Sequence, residues 1–132
     1  MKLTESERKA IVKYRIERAH DTFLDVELAI NNLRLNNAAN RLYYACYYAA
    51  MALLINNEYE ARTHDGVKTL IGLHFVKNNI ISEELMRAYR RMFNLRQTGD
   101  YDDLAVITLD DVLELYEPAK QFIETIEKLI NN

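Results

Sequence analysis

With one proline and three glycines among 132 residues, the chain has few of the turn residues that an all-β fold consumes. Many short strands joined by tight turns are therefore excluded, and long uninterrupted helices are expected. A single cysteine, Cys46, excludes an internal disulfide. Its neighbours Tyr44, Ala45, Tyr47 and Tyr48 predict a buried thiol and a reducing, cytoplasmic setting. The opening stretch MKLTESERK has no apolar core of the kind a signal peptide needs. The longest apolar run, Leu42 to Ile55, is shorter than the roughly 20 residues that cross a bilayer and carries four tyrosines. A soluble protein with no membrane association is expected.

What is present fits one globular domain over residues 1–132. Apolar residues make up 49% of the chain, too many for disorder, and its length suffices for a single core. The formal charge of −3 predicts no general attraction to nucleic acid, but the charges are unevenly spread. Four arginines and no acid lie between Arg87 and Arg96, whereas seven acids and no base lie between Asp100 and Glu117. That asymmetry permits a local anion site on a mildly acidic protein.

Spacing predicts an all-α, antiparallel, up-and-down bundle of about five helices. Val12, Ile16, Ala19, Phe23, Val26, Ile30 and Leu33 alternate in steps of four and three, placing the first helix from about Ser6 to Arg34. The second, from about Asn37 to Asn56, is apolar all round and is expected to be covered by its neighbours and by a second subunit. A third helix is predicted from His64 or Asp65 to about Asn78, and a fourth begins after Ser82, with Glu83 and Glu84 in its first turn. Gly99 suits the left-handed position that ends this fourth helix. The last helix starts at a capping-box-like Thr108/Asp111 pair, and Pro118 predicts a kink or a break within it.

The arginines of the fourth helix divide into two sets. At about 100° per residue, Arg87, Arg90, Arg91 and Asn94 form a solvated basic stripe that can contact phosphates. Arg96 instead falls in line with Leu85, Tyr89 and Met92, where the pattern calls for an apolar residue. A guanidinium directed into a seam needs its donors satisfied. Either Asp100, one turn on, pairs with it, or Arg96 lines a polar cavity that can receive an anion, most simply at a junction between subunits.

The three histidines, His20, His64 and His74, have no helical i, i+4 pairing, so no metal centre is predicted, and no cofactor motif is present. His74 reads as a core or boundary residue and His20 as a flank of the first seam. His64, at the start of the third helix, is placed to cap that helix or to reach a site.

Four blocks occur in order: Asn40-Arg41-Leu42-Tyr43-Tyr44-Ala45, Ala49 to Leu54, His64-Asp65-Gly66-Val67, and Arg96 with Asp100-Tyr101. Together they resemble the small, stand-alone prokaryotic branch of the HEPN domain family over nearly the whole chain. The resemblance implies a helical bundle that forms a two-fold dimer and works beside a minimal nucleotidyltransferase in a toxin–antitoxin-type pair. Active members resemble one another in an arginine followed four to six residues later by a histidine, which meet across the dimer and cleave RNA without a metal.

Here Arg96 matches the arginine, while Tyr101, Asp102 and Asp103 hold the positions open to the histidine. The resemblance thus implies an anion, nucleotide or RNA site formed by Arg96, Asp100 and Tyr101, with Arg41 and His64. One alternative is an endoribonuclease in which Tyr101 or His64 replaces the missing histidine. Another is a helical interaction protein with no ligand site. By the same resemblance, Tyr101 is a candidate acceptor of an adenylyl group from the partner enzyme.

Overall fold

The computed structural model describes residues 2–102 and 104–132. Five helices form an all-α bundle, and no strand occurs among the described residues: α1 Glu5–Asn31, α2 Leu35–Asn56, α3 His64–Ile71, α4 Glu83–Tyr101 and α5 Leu109–Asn131. A single π-helical segment, Gly72–Val76, extends α3. Side chains cap most of the starts. Thr4 and Thr108 form capping boxes with Glu7 and Asp111, while the hydroxyls of Thr63 and Ser82 accept from the amides of Gly66 and Leu85.

Helix α2 is the hub, packing against all four other helices. Its alanines 38, 39, 45, 49, 50 and 52 are buried and allow close approach, while Leu42, Leu53 and Leu54 fill the core between them. Each such leucine removed from water contributes about 1.5–3 kcal/mol. Cys46 is fully buried, as its neighbours predicted, with its thiol 3.7 Å from the Ala119 carbonyl; burial pushes its pKa up. The half-buried side of α2 is aromatic and basic: Arg41, Tyr44, Tyr47 and Tyr48.

Three expectations about helix ends need correcting. Helix α1 stops at Asn31 rather than Arg34 because Leu33 turns left-handed, with φ 55°. The Leu33 amide then reaches the Ile30 carbonyl and the Arg34 amide the Ala29 carbonyl, closing the helix end without glycine. Gly99 does not end α4: it has no positive φ, and the helix continues to Tyr101. An added Cβ there would stand 2.6 Å from Ile107 Cδ1, so the tip of that side chain would have to move. Nor does Pro118 break α5, which is one helix throughout. Val112, Leu115, Ala119, Phe122, Ile123 and Ile126 are buried on both sides of the proline, and that shared packing outweighs the lost hydrogen bond, which costs about 3 kcal/mol.

Candidate anion site at the end of α4

The apolar stripe of α4 carries Arg96 into the bundle, where it is 7% exposed. Its guanidinium carbon lies over four rings, at 5.1 Å from Tyr43, 5.6 Å from Tyr44 and from Phe93, and 6.0 Å from Tyr101. Such contacts attract a cation to the ring faces. They supply no hydrogen-bond acceptor in the guanidinium plane. The Nη1 atom stands 3.5 Å from Asp100 Oδ2, a long ion pair, and Nε is buried with no partner among the described residues. Aromatic stacking thus holds the arginine while its charge-assisted bonding capacity is left largely unused.

Helix α2 supplies the facing wall. Asn36 and Asn40, one turn apart, approach the end of α4: their Nδ2 atoms donate to the Gly99 carbonyl at 3.5 Å and to Asp100 Oδ2 at 3.4 Å. The Asn40 Oδ1 accepts from Arg41 Nε at 3.0 Å, which helps hold Arg41 near the Tyr44 ring, 5.5 Å away. The α3 start completes the cluster. Tyr43 and His64 Nδ1 share a hydrogen bond of 2.6 Å, and the imidazole stacks on Tyr47 at 4.3 Å. Burial lowers the His64 pKa, and nearby Arg96 lowers it further against the opposing pull of Asp65. Burial likewise raises the Tyr43 pKa, so its phenol stays protonated and available.

Arg96, Asp100, Tyr101, Arg41 and His64, which the sequence grouped together, therefore gather around Tyr43 and Tyr44. Tyr101 is 76% exposed at the rim. Asp102 caps α4 and accepts from the Leu104 amide at 3.0 Å; Asp103 lies outside the described residues. Arg87, Arg90 and Arg91 are exposed on another side of α4, and two of them face acids: Arg90 with Glu83 at 4.0 Å and Arg91 with Glu114 at 3.0 Å. Four contributors went unrecognised as site residues in the sequence: Asn36 and Asn40 of the facing wall, Tyr43 and Lys68. Tyr43 bridges Arg96 and His64. Lys68, one turn after His64, lies 4.7 Å from the opposite site wall, Phe93. The i, i+4 pairs Asn36/Asn40 and His64/Lys68 were the available signals for the asparagines and the lysine.

The remaining histidines have structural partners. His74 stacks on Tyr59 at 3.9 Å, and His20 Nε2 lies 3.0 Å from Glu127. No group of histidine, cysteine and acidic residues among the described residues is arranged to hold a metal ion.

Comparison with known proteins gives consistent matches over most of the chain. The family described as HEPN domain matches residues 12–129. A UPF0332 protein of Thermotoga maritima is 36% identical over 127 residues, covering 96% of both chains. Two proteins of Methanocaldococcus jannaschii, each named "Putative toxin", are 28% and 30% identical. The first match covers 98% of this chain and 88% of the relative; the second covers 87% and 85%.

Proposed function

The chain belongs to the HEPN domain family, and we propose that it is a toxin-type module whose Arg96 site binds the phosphate of an RNA or nucleotide. In this reading it acts as a homodimer beside a nucleotidyltransferase partner. The toxin names of the two archaeal relatives support the cellular role. The observation that carries the binding reading is the buried Arg96 guanidinium, ringed by aromatic faces, with Nε unpartnered and a single carboxylate, 3.5 Å away, among the described residues. A phosphate oxygen entering beside Asp100 supplies the missing acceptors, and an exposed Tyr101 beside it offers a face for a base or an acceptor for a partner's adenylyl group.

The test is fluorescence anisotropy with a labelled single-stranded RNA, competed by ATP. Arg96→Met is expected to weaken binding about tenfold or more, the loss of a charge-assisted hydrogen bond. Arg91→Met on the outer stripe serves as the comparison and is expected to change little. Competition by ATP at similar concentrations points to a nucleotide pocket; resistance to it points to the RNA backbone. Unchanged affinity in Arg96→Met eliminates this site.

One observation favours a second reading, metal-independent RNA cleavage. Arg96 and His64 flank the same Tyr43 ring, at 5.1 and 5.6 Å. The Tyr43 hydroxyl can either donate to His64 Nδ1 or accept from it. Nε2 can therefore take the proton of a 2′-hydroxyl and return it to the leaving 5′-oxygen, while Arg96 stabilises charge on the phosphate. Incubation with cellular RNA should then release fragments ending in 2′,3′-cyclic phosphate, and His64→Gln should abolish them. Cleavage that survives in His64→Gln excludes this role.

A further inference from the structure

A cavity of about 450 Å³ opens beside the C-terminal half of α2, bordered by the start of α1, the α2–α3 connection and α3. None of the Arg96 cluster lines it. Its size falls within the range of small-molecule sites. Met51, Leu54, Ile55 and Val67 provide an apolar wall, and Tyr59, braced against His74, closes one side.

Arg15 of α1 enters this wall. Its Nε is buried and has no hydrogen-bond partner among the described residues, and Nη1 reaches only the Met51 sulfur, at 3.4 Å. Thioether sulfur is a weak acceptor, so the guanidinium fork is scarcely used. No carboxylate lies within ion-pair distance of it among the described residues. Of the other charged residues that line it, Arg8 pairs with Glu58 at 3.6 Å, and Lys2 and Glu60 complete the rim. A charged fork facing apolar walls calls for an anion that brings its own apolar surface. The apolar wall beside Arg15 favours an anion carried on a hydrocarbon body over inorganic phosphate, which has none.

We propose that this cavity binds a small monocarboxylate with an apolar body, its carboxylate held by Arg15 and its hydrocarbon portion lying against Met51, Leu54, Ile55 and Val67. This assignment does not depend on the phosphate reading of the Arg96 cluster.

The test is a titration of the full chain with octanoate, followed by NMR of the methionine methyl groups. Met86 and Met92, buried elsewhere in the core, are internal controls. Octanoate is expected to shift the Met51 methyl saturably while leaving those of Met86 and Met92 in place. Octanol should bind about tenfold more weakly or worse, since it lacks the charge that Arg15 recognises. Arg15→Gln should show a similar loss and Arg15→Lys an intermediate one, because lysine keeps the charge without the planar fork. Arg96→Met should retain full octanoate affinity, which separates failure here from failure of the other site. Octanol binding as tightly as octanoate, inorganic phosphate displacing octanoate, or no saturable shift at Met51 each overturns the proposal. All three use the wild-type chain, so they decide even if Arg15→Gln does not fold.

Discussion

The Arg96 guanidinium is 7% exposed, yet its nearest carboxylate oxygen stands 3.5 Å away and its Nε has no acceptor among the described residues. A buried donor without a partner costs about 1–3 kcal/mol, and removing a charge from water costs more unless it is well paired. Methionine fits the same slot and makes favourable sulfur contacts with the surrounding rings. Arg96→Met is therefore expected to raise stability by about 1 kcal/mol in chemical denaturation, together with the loss of phosphate binding. A variant that is destabilised and still binds would mean that Arg96 serves the fold alone. His64 gives a pH signature. Its pKa in the fold lies below the ordinary value of about 6.5, so below that value the unfolded chain takes up the proton more readily than the native one. Stability from this residue is complete above about pH 6.5 and falls as pH drops toward the lowered pKa of the fold. Melting temperatures measured from pH 7.5 to 5 should fall less steeply in His64→Gln; parallel curves would refute the shift.

Helix ends show where glycine is and is not required. Leu33 adopts φ 55° and is 69% exposed, while Gly72 sits in the ordinary helical region, φ −60° and ψ −47°, with nothing within 4 Å of an added Cβ. A left-handed leucine costs about 1–2 kcal/mol, and a helical glycine about 0.5–1 kcal/mol relative to alanine. Leu33→Gly and Gly72→Ala should therefore each stabilise by about 0.5–1 kcal/mol, seen as a rise of a few degrees in melting temperature. Gly99→Ala should forfeit that gain, because its methyl must displace Ile107. The same residues explain what was legible in the sequence. Seams such as Val12 to Ile30 and caps such as Ser82 follow from local spacing and chemistry, so the five helices could be read directly. The closing turns at Leu33, Glu58 and Asn79, the only described non-glycine residues with positive φ, rest on backbone bonds to the preceding turn. Such turns are set by the onward path of the chain, and a leucine or glutamate there sends no signal. Gly99 sent a misleading one, because it lies within the helix and its close neighbour, Ile107, is a tertiary one.

At the scale of the whole molecule, the site is a meeting of three helices. Arg96 was legible because a single helix's periodicity shows a charge in an apolar row. The hydrogen bond between Tyr43 and His64, 21 residues apart, was not, since only the packing of α2 against α3 brings them together. Three tyrosines of α2 stay half-buried even though it touches four helices: Tyr44 beside Arg96, Tyr47 against His64 and Tyr48 under Arg18 of α1. Tyr101, the last residue of α4, and Leu104 and Val106 beyond it are between 76% and 93% exposed. An aromatic face this close to an unsatisfied guanidinium suits a two-fold contact in which each subunit's Arg96 approaches its counterpart's site, and an interface of about 800 Å² per subunit would hold it together. Light scattering at micromolar concentration should give twice the chain mass. Tyr48→Glu, which leaves the buried α2 residues in place, should give the single-chain mass with helical circular dichroism retained. It should also weaken RNA binding if the two sites act as one. A wild-type monomer under these conditions rules out the paired site, and a Tyr48→Glu dimer places the contact on another face.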